Sequence, residues 1–273
     1  MLVRGTSVVL FNAYILAGGE GRRFGGDKLA ALVDSVASIA RLADAAWRAG
    51  AAAVYAVTRS VERCRTYMSL AKLTSCLYDE PPLPGCEGPA VAIYTALRHA
   101  AEAGARAVIL PGDAPWLTWL QVWSLQAYGL GVADAATIIH GDGYLESLVQ
   151  AYNPDAAARA ARAITGWCKV RGYARATDPL RAQPTIALIG SGLTAYTATA
   201  YAHINTREVI RTRQPKNPLS NSTVIIVEAG VAPDNPSMCW LLCRELETYT
   251  LHGIEQLARQ ARQDFEVLCS KDK

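Results

Sequence analysis

The chain contains 273 residues, of which 51% are hydrophobic and 19% are charged, a balance typical of a folded globular protein. Its formal net charge of +3 excludes the strongly basic composition of a nucleic-acid-binding or membrane-binding segment. No apolar run reaches the roughly 18 residues that a membrane-spanning helix needs. We therefore expect neither a nucleic-acid partner nor a membrane partner, and we expect a cytoplasmic location.

Short runs of β-branched residues alternate with alanine-rich stretches of helical length along most of the chain. Strands are predicted over residues 8–16, 53–57, 75–78, 107–110, 136–139, 147–152 and 186–188. Helices are predicted over residues 28–49, 61–70, 89–103, 116–128 and 155–164. This alternation predicts crossover connections and a mostly parallel sheet covered on both faces, which is a Rossmann-like three-layer α/β/α sandwich. The first strand is not expected to be a secretory signal, because no small-residue cleavage site follows it.

A glycine-rich loop, LAGGEGRRFGGDK over residues 16–28, follows the first strand. Glycines let backbone N–H groups approach phosphate oxygens, and loops that leave parallel strands lie where ligands bind. Arg23 and Lys28 supply the positive charge that a departing pyrophosphate needs. The spacing matches neither the Walker phosphate loop nor the dinucleotide-binding fingerprint. The loop therefore predicts a nucleoside triphosphate site, in which the amides of residues 17–19 hold phosphates and a helix begins near Lys28.

This loop resembles the signature L-A-G-G-x-x-x-R-x-G-x-D-K of the MobA-like nucleotidyltransferases, which include the molybdenum cofactor guanylyltransferases. The residues in register are Leu16, Ala17, Gly18, Gly19, Arg23, Gly25, Asp27 and Lys28. The resemblance implies Mg²⁺-dependent transfer of a nucleoside monophosphate to a phosphorylated acceptor, with release of pyrophosphate. In the guanylyltransferases the donor is GTP and the acceptor is molybdopterin. Within the loop, the resemblance implies that Arg23 and Lys28 are catalytic and that Leu16, Ala17, Gly18, Gly19 and Lys28 bind the nucleotide.

Asp79 follows the predicted strand at 75–78 and opens the segment DEPPLPGCEGPAVAIYTAL. This segment resembles the family block D-x(n)-G-P-L-A-G-I-x-x-A-L, whose Asp contacts the nucleotide, so the resemblance implies the same role for Asp79. A turn residue is the alternative. Guanine-specific relatives often carry an Asn shortly after the second strand, where this chain has Thr58, Arg59 and Ser60. The preferred base therefore stays open.

Asp113 lies in LPGDAPWL, directly after the predicted strand at 107–110. An Asp at the tip of a parallel strand faces the ligand-binding edge, and Mg²⁺ favours one or two carboxylates together with phosphate oxygens and water. Helix capping is the alternative, because Asp followed closely by Pro is a common helix start. The resemblance adds that G-D-x-P carries the magnesium-binding Asp of the family. It thus implies that Asp113 is catalytic and binds both metal and nucleotide.

Two later segments also resemble family motifs. Residues 143–152 resemble the strand that borders the acceptor, and residues 202–209, AHINTREV, resemble F-N-I-N-T-P-E-D. The second match implies that Asn205 lies near the metal or the acceptor, and an N-cap is its alternative role. His203 departs from the motif and is interpreted as a structural or surface histidine. An arginine cluster is predicted to attract an anionic acceptor, with a solvated helix face as the alternative for its first two members: Arg159, Arg162, Arg171, Arg175 and Arg181.

The main domain is predicted over residues 1–215, followed by a linker at 217–222 and a C-terminal extension at 218–273. The extension is expected to contain a short strand at 223–228 and one or two helices within 239–269. It could pack on the main domain, form a homodimer, or bind the acceptor or a partner enzyme. The seven cysteines are dispersed without zinc-binding spacing, and their odd number suggests reduced thiols in the cytoplasm. A Cys64–Cys76 disulfide is the alternative.

Several functions remain open on the sequence. Adenosylcobinamide-phosphate guanylyltransferases share the glycine loop and an N-I-N-T motif, and molybdopterin cytidylyltransferases and sugar-phosphate nucleotidyltransferases perform the same chemistry. The hypotheses of another class are a nucleotide-binding regulatory subunit without turnover and a cofactor-delivery protein that binds an enzyme through its extension. The intact Arg23, Lys28 and Asp113 favour an enzyme.

Overall fold

The computed structural model describes residues 10–19, 21, 23–195, 197–233 and 235–269. Residues 8 and 9 of the first predicted strand lie outside these. The strands in chain order are β1 Phe11–Leu16, β2 Leu32–Val33, β3 Val36–Ala37, β4 Ala51–Thr58, β5 Ser75–Tyr78, β6 Arg106–Pro111, β7 Ala135–Ile139, β8 Leu145–Tyr152, β9 Thr185–Gly190 and β10 Val224–Glu228. The α-helices are α1 Ser38–Arg48, α2 Val61–Leu70, α3 Pro89–Glu102, α4 Trp119–Ser124, α5 Pro154–Arg171, α6 Asp178–Arg181, α7 Ser191–Thr194, α8 Arg207–Thr212, α9 Met238–Leu251 and α10 Glu255–Cys269.

Eight of the strands form one sheet in the order β10–β9–β7–β8–β6–β1–β4–β5. β1 lies between β4 and β6 and is parallel to both, and β5 continues the parallel pairing beyond β4. β8 is antiparallel to its neighbours β6 and β7, and β10 is antiparallel to β9. The prediction of a mostly parallel sheet is confirmed. Its consequence is that the carboxyl ends of β1, β4, β5 and β6 meet at one edge, where ligands bind in such sheets.

The sheet separates two hydrophobic cores. On one face, the alanine-rich helices α3 and α5 pack against residues such as Tyr14 and Ile109. On the other face, α1 and α4 pack against Ala13 and Ile15. Adjacent residues of β1 thus point to opposite faces, as the period of a strand requires. The three-layer prediction is confirmed. No helix within the described residues is long and apolar enough to cross a membrane.

The helix predicted from residue 28 is wrong in its first part, because a hairpin of β2 and β3 precedes α1. The two turn residues of this hairpin, Asp34 and Ser35, have positive φ angles of 48° and 65°. A two-residue turn with positive φ matches the twist of the flanking strands and interrupts a helix. Val33 of the hairpin is buried against Trp116 and Ile204. The hairpin therefore supports the segment that contains the late motif.

Residues after 218 join the same sheet and the same core. β10 extends the sheet at its edge, and α9 and α10 contribute Leu242, Tyr249 and Leu257 to the core beneath α5. The strand predicted at 223–228 and the helices predicted within 239–269 are confirmed. The division of the chain near residue 215 stays a prediction.

A buried network of ion pairs joins the extension to α5 and α6. Arg181, which is fully buried, donates to both carboxylate oxygens of Glu245 at 2.9 and 2.6 Å and to Asp264 at 2.7 Å. Arg175 contacts Asp264 at 2.9 Å, and Arg171 contacts the same carboxylate at 2.9 Å. Buried charges are tolerated when each has a partner of opposite sign. The network therefore provides a polar junction between the helices of the extension and the rest of the fold.

This network contradicts the prediction that the arginines from 159 to 181 attract an anionic acceptor. The last three of them pair with acidic residues of α6, α9 and α10, and Arg159 pairs with Asp134 at 2.5 Å. Arg162 is exposed on α5, as the alternative of a solvated helix face predicts. The acidic partners in α9 and α10 are separated from these arginines by 64 to 93 residues in the sequence. The sequence around the arginines therefore does not reveal which residues they pair with.

Six cysteines form the disulfides Cys64–Cys76, Cys86–Cys168 and Cys239–Cys269, and Cys243 is an exposed thiol. The expectation of reduced thiols is wrong, and the Cys64–Cys76 alternative is confirmed. Disulfides are typical of oxidising compartments and of intracellular proteins from hyperthermophiles. The expectation of a cytoplasmic location thus loses the support that reduced thiols would have lent it.

Removal of the Cys86–Cys168 bridge by a double substitution to serine is expected to destabilise the protein more than removal of Cys64–Cys76. The first pair closes a loop of 82 residues and the second a loop of 12. In the chain-entropy model these loops correspond to about 4.5 and about 3 kcal/mol. Urea unfolding measures both losses, with Cys243→Ser as the control that should leave the free energy of unfolding nearly unchanged. Equal losses for the two pairs would contradict the loop-length argument.

Candidate active site

A cleft of about 520 Å³ opens at the sheet edge where β1, β4, β5 and β6 end. Each of these strands leads into a residue of its wall: Gly18 after β1, Arg59 after β4, Asp79 after β5 and Asp113 after β6. Arg23 and Asn205 also line the cleft. The predicted nucleotide-binding residues found in the wall are Leu16, Gly18, Gly19, Lys28, Asp79 and Asp113, and Ala17 is absent from it.

The glycine loop turns back on itself and does not open a helix at Lys28. Gly21 and Gly25 have positive φ angles of 63° and 74°. The Gly21 carbonyl accepts hydrogen bonds from the N–H groups of Phe24 at 2.9 Å and Gly25 at 3.0 Å. A Cβ on Gly21 would lie 2.0 Å from the carbonyl oxygen of Gly26, so only glycine fits this position. The compact turn places Lys28 at the cleft.

The amide of Ala17 is occupied, because it donates to the carbonyl oxygen of Val57 at 2.7 Å. This bond continues the pairing of β1 with β4 by one residue. Of the three amides predicted to hold phosphates, at residues 17–19, only those of Gly18 and Gly19 are therefore available. Their N–H groups form no hydrogen bond to another described residue.

Asp27, the acid of the loop signature, fastens the loop to the fold. Its Oδ2 accepts a hydrogen bond from the Tyr67 hydroxyl at 2.8 Å, and its Oδ1 accepts one from the N–H of Leu29 at 2.9 Å. Tyr67 is fully buried in α2. Asp27 therefore does not face the reacting groups and instead orders the segment that carries Lys28.

Lys28, Asp113 and Asn205 converge at the floor of the cleft. The Lys28 Nζ lies 3.2 Å from Asp113 Oδ2 and donates to Asn205 Oδ1 at 2.8 Å. The side chains of Lys28 and Asp113 are about one-fifth exposed, so both face the cleft. Neither Asp113 nor Asn205 caps a helix. Thr118 caps α4 with a capping box, and Thr206 is the N-cap residue of α8. The capping alternatives are therefore wrong for both.

The two oxygens that meet Lys28 fit a metal shared with a nucleotide. The Lys28 ammonium is a cation held between a carboxylate oxygen and an amide oxygen, which are ligand types that Mg²⁺ accepts. Among the described residues, no group of three or more His, Cys, Asp or Glu could hold a metal on its own. Mg²⁺ usually retains waters and substrate phosphates beside one or two carboxylates. The donor set therefore fits a metal that arrives with phosphates.

His203 joins Asp113 to a second, more deeply buried carboxylate. Its Nδ1 lies 2.9 Å from Asp113 Oδ1, and its Nε2 lies 3.0 Å from Glu146 Oε1. Burial by itself would lower the pKa of His203, but these two carboxylates raise it to about 10. Burial would likewise raise the pKa of Asp113, but His203 and Lys28 lower it to about 2. Of the two alternatives for His203, the surface histidine is therefore wrong, and its part-buried contacts with Asp113 and Glu146 agree with a structural one.

Asp79 forms the opposite end of the cleft with Arg59. Its Oδ2 accepts a hydrogen bond from Arg59 Nε at 3.2 Å, and its buried Oδ1 has no partner among the described residues. Burial raises the pKa of Asp79, an effect that Arg59 opposes. A Cβ on Gly18 would lie 2.7 Å from Asp79 Oδ2. Gly18, the first glycine of the loop, thus leaves room for a carboxylate that faces the cleft. Arg59, which stands near the Asn position of guanine-specific relatives, is its partner.

Gly18→Ala is expected to weaken nucleoside triphosphate binding about 10-fold or more. The added methyl group would overlap Asp79, and overpacking of this kind costs about 1–3 kcal/mol. Gly131→Ala is the control, because Gly131 lies outside the cleft and a Cβ there would meet its nearest atom at an ordinary contact distance of 3.5 Å. Calorimetric titration with GTP measures both variants. The same affinity in both would show that the space beside Asp79 does not limit binding.

An α/β/α sandwich with a glycine loop and opposed Lys and Asp side chains at its strand ends defines a nucleotide-binding domain of the transferase type. A family model described as the MobA-like NTP transferase domain matches residues 13–216, so the chain belongs to this family. It is therefore a nucleotidyltransferase by family. No curated protein matches the chain by sequence.

Among the solved structures that are similar to the chain, the first described below shares its fold. The chain is similar to molybdopterin-guanine dinucleotide biosynthesis protein A from Archaeoglobus fulgidus, with 19% identity and a TM-score of 0.54 over 74% of this chain and 96% of that one. It is also similar to a nucleotidyl transferase from Methanothermobacter, with 16% identity and a TM-score of 0.42 over 56% of this chain and 75% of that one. The first similarity supports the Rossmann-like α/β assignment.

Proposed function

We propose that this protein transfers GMP from GTP to a phosphorylated acceptor, molybdopterin, in a Mg²⁺-dependent reaction that releases pyrophosphate. The observation that carries the proposal is the convergence of Lys28, Asp113 and Asn205 beside the glycine loop. Enzymes that transfer phosphoryl groups commonly use a lysine at a phosphate-binding loop together with a metal-binding Asp. Their catalysis consists mainly of positioning the reactants and stabilising charge.

In the proposed reaction, an oxygen of the acceptor phosphate attacks the α-phosphorus of the nucleotide. A new phosphorus–oxygen bond forms there, and the bond to the β-phosphate oxygen breaks, so that pyrophosphate leaves with the electron pair. The Gly18 and Gly19 amides hold phosphate oxygens, and Arg23 and Lys28 stabilise the charge that develops on the leaving group. No general base is needed, because the acceptor phosphate is already an anion.

Mg²⁺ would be held by Asp113 Oδ2 and Asn205 Oδ1, and when bound it supplies charge neutralisation of the phosphate oxygens. Lys28 occupies the position between these two oxygens in the structure. We infer that Lys28 turns from them to the phosphates when nucleotide and metal bind together. Its long flexible side chain permits this movement.

The choice of guanine rests on the chemistry of Asp79 and on the family. A carboxylate only accepts hydrogen bonds, and the Watson–Crick edge of guanine presents two neighbouring N–H donors. The choice of molybdopterin as acceptor draws support from the resemblance and from the printed name of the Archaeoglobus protein. Arg59 favours a second candidate, cytidylyl transfer from CTP, because its N–H groups could donate to the acceptor atoms of cytosine.

A pyrophosphate-release assay tests the proposal. GTP, CTP, ATP and UTP are each combined with molybdopterin and with cobinamide phosphate, with Mg²⁺ and with EDTA. We expect the fastest release with GTP, molybdopterin and Mg²⁺ together. Preference for CTP would select the second candidate, and preference for cobinamide phosphate would replace the acceptor. Absence of release with every pair would overturn the enzymatic proposal in favour of a nucleotide-binding or cofactor-delivery protein.

A further inference from the structure

A chain of polar side chains leads from Asp113 into the interior. Asp113 Oδ1 meets His203, His203 meets Glu146 Oε1, and Glu146 Oε2 lies 3.4 Å from the Nε2 of His140. Glu146 and His140 are 8% and 3% exposed, so this row lies behind the cleft wall. We propose that His203, anchored by Glu146, is a positioning residue that fixes the orientation in which the Asp113 carboxylate faces the metal. This inference rests on the proposed metal role of Asp113.

The two oxygens of the Asp113 carboxylate have different partners. Oδ1 is held by the imidazole Nδ1 at 2.9 Å, and Oδ2 is left toward Lys28 and Asn205. A carboxylate without such a partner can rotate about χ2, because terminal torsions of this kind have broad energy wells. The bond from His203 therefore selects one orientation, in which a single oxygen is presented to a cation beside the amide oxygen of Asn205.

His203 can hold Asp113 in this way because a backbone hydrogen bond and a side-chain contact both fix its position. The N–H of the next residue, Ile204, donates to the backbone carbonyl of Asp113 at 2.7 Å, which aligns the two segments. The Nε2 of His203 lies 3.0 Å from Glu146 Oε1, so the ring cannot turn about its χ2 axis without losing its contact with this buried carboxylate. Glu146 is located by β8, and its second oxygen faces His140, whose ring packs edge-on against Tyr201 at 5.0 Å.

His203 contacts a carboxylate at each of its ring nitrogens, Asp113 at Nδ1 and Glu146 at Nε2. The pair of His203 and Glu146 thus contacts Asp113 through the oxygen that does not face Lys28. Groups that orient a metal-binding residue from behind typically contribute 10–100-fold to metal affinity or activity. The family motif F-N-I-N-T-P-E-D carries Asn at the position of His203, so the link to Glu146 is a property of this chain.

Two substitutions separate the two contacts of His203. In His203→Asn, the amide nitrogen occupies nearly the position of Nδ1 and can still donate to Asp113. In His203→Gln, the amide lies nearer the position of Nε2 and can reach Glu146 instead. His203→Ala removes both contacts, and Asp113→Ala serves as the reference for complete loss of the metal ligand.

The measurement is the affinity for GTP by calorimetry, determined once in EDTA and once with saturating Mn²⁺ as the metal probe. The ratio of the two affinities gives the strengthening of nucleotide binding by the metal. We expect His203→Ala and His203→Gln to reduce this ratio about 10–100-fold. His203→Asn should retain most of it. Affinity in EDTA should change little in all three variants, whereas general damage to the fold would lower it as well.

The outcomes distinguish this inference from the proposed function. Loss of the ratio in Asp113→Ala but not in any His203 variant would overturn the positioning role and leave the metal site intact. Equal ratios for His203→Asn and His203→Gln would also overturn it, because orientation of Asp113 would not depend on the Nδ1 contact. A wild-type protein whose affinity for GTP, or for CTP if the release assay selects it, does not depend on Mn²⁺ would overturn the metal site and this inference together.

Discussion

Lys28→Ala is expected to lower the turnover number about 10²-fold or more while leaving the free energy of unfolding nearly unchanged. The Lys28 ammonium lies at the cleft between two oxygen acceptors and is not packed in the core. Its proposed task is to stabilise charge that develops on pyrophosphate, and an interaction made mainly in the transition state affects the turnover number more than KM. Steady-state pyrophosphate release measures both constants.

Asp113→Ala is expected to cause a loss of the same size, because it removes the carboxylate that is proposed to hold the metal and that contacts both Lys28 and His203. Lys169→Ala provides the control, since Lys169 is exposed on α5 and outside the cleft. Near-wild-type turnover in Lys28→Ala and Asp113→Ala would refute this active site. A large loss in the control would indicate that the assay responds to surface charge in general.

Arg181 is expected to make a large contribution to the free energy of unfolding. Arg181→Met is expected to lower the free energy of unfolding by about 3–5 kcal/mol, because it leaves buried carboxylates without their partner. Arg181 is fully buried and contacts Glu245 of α9 and Asp264 of α10. The loss should appear in urea unfolding as a lower midpoint with an unchanged slope. A change of this size would establish that the extension is energetically part of the main fold.

Arg162→Met is the matched control for this substitution, because Arg162 is an exposed arginine on α5. We expect it to change the free energy of unfolding by less than about 0.5 kcal/mol, as exposed positions usually do. The double variant Arg181→Met, Glu245→Gln should lose less than the sum of the two single variants, since the amide leaves no unpaired charge. Strict additivity would mean that the two side chains do not interact, contrary to the structure.

The strand ends of this protein could be predicted from sequence because the governing rule is local. Gly18, Asp79 and Asp113 each follow a short predicted strand, and parallel strands bring such positions to one edge. The register of the glycine loop indicated Lys28 in the same way. Even there, the sequence did not reveal that the Ala17 amide is occupied by Val57, because that bond depends on the neighbour that β1 acquires in the sheet.

The sequence by itself therefore determined the layered α/β architecture, the place of the glycine loop and the acids at the strand ends, because each depends on periodicity or on residues within one segment. Only the tertiary structure decided which side chains contact one another in the site. Lys28 meets Asn205 across 177 residues, and His203 meets Glu146 across 57. The acceptor role once expected of the later arginines gave way to ion pairs for the same reason. A charged side chain in a sequence shows its own sign, but its effect depends on the charge that folding places beside it.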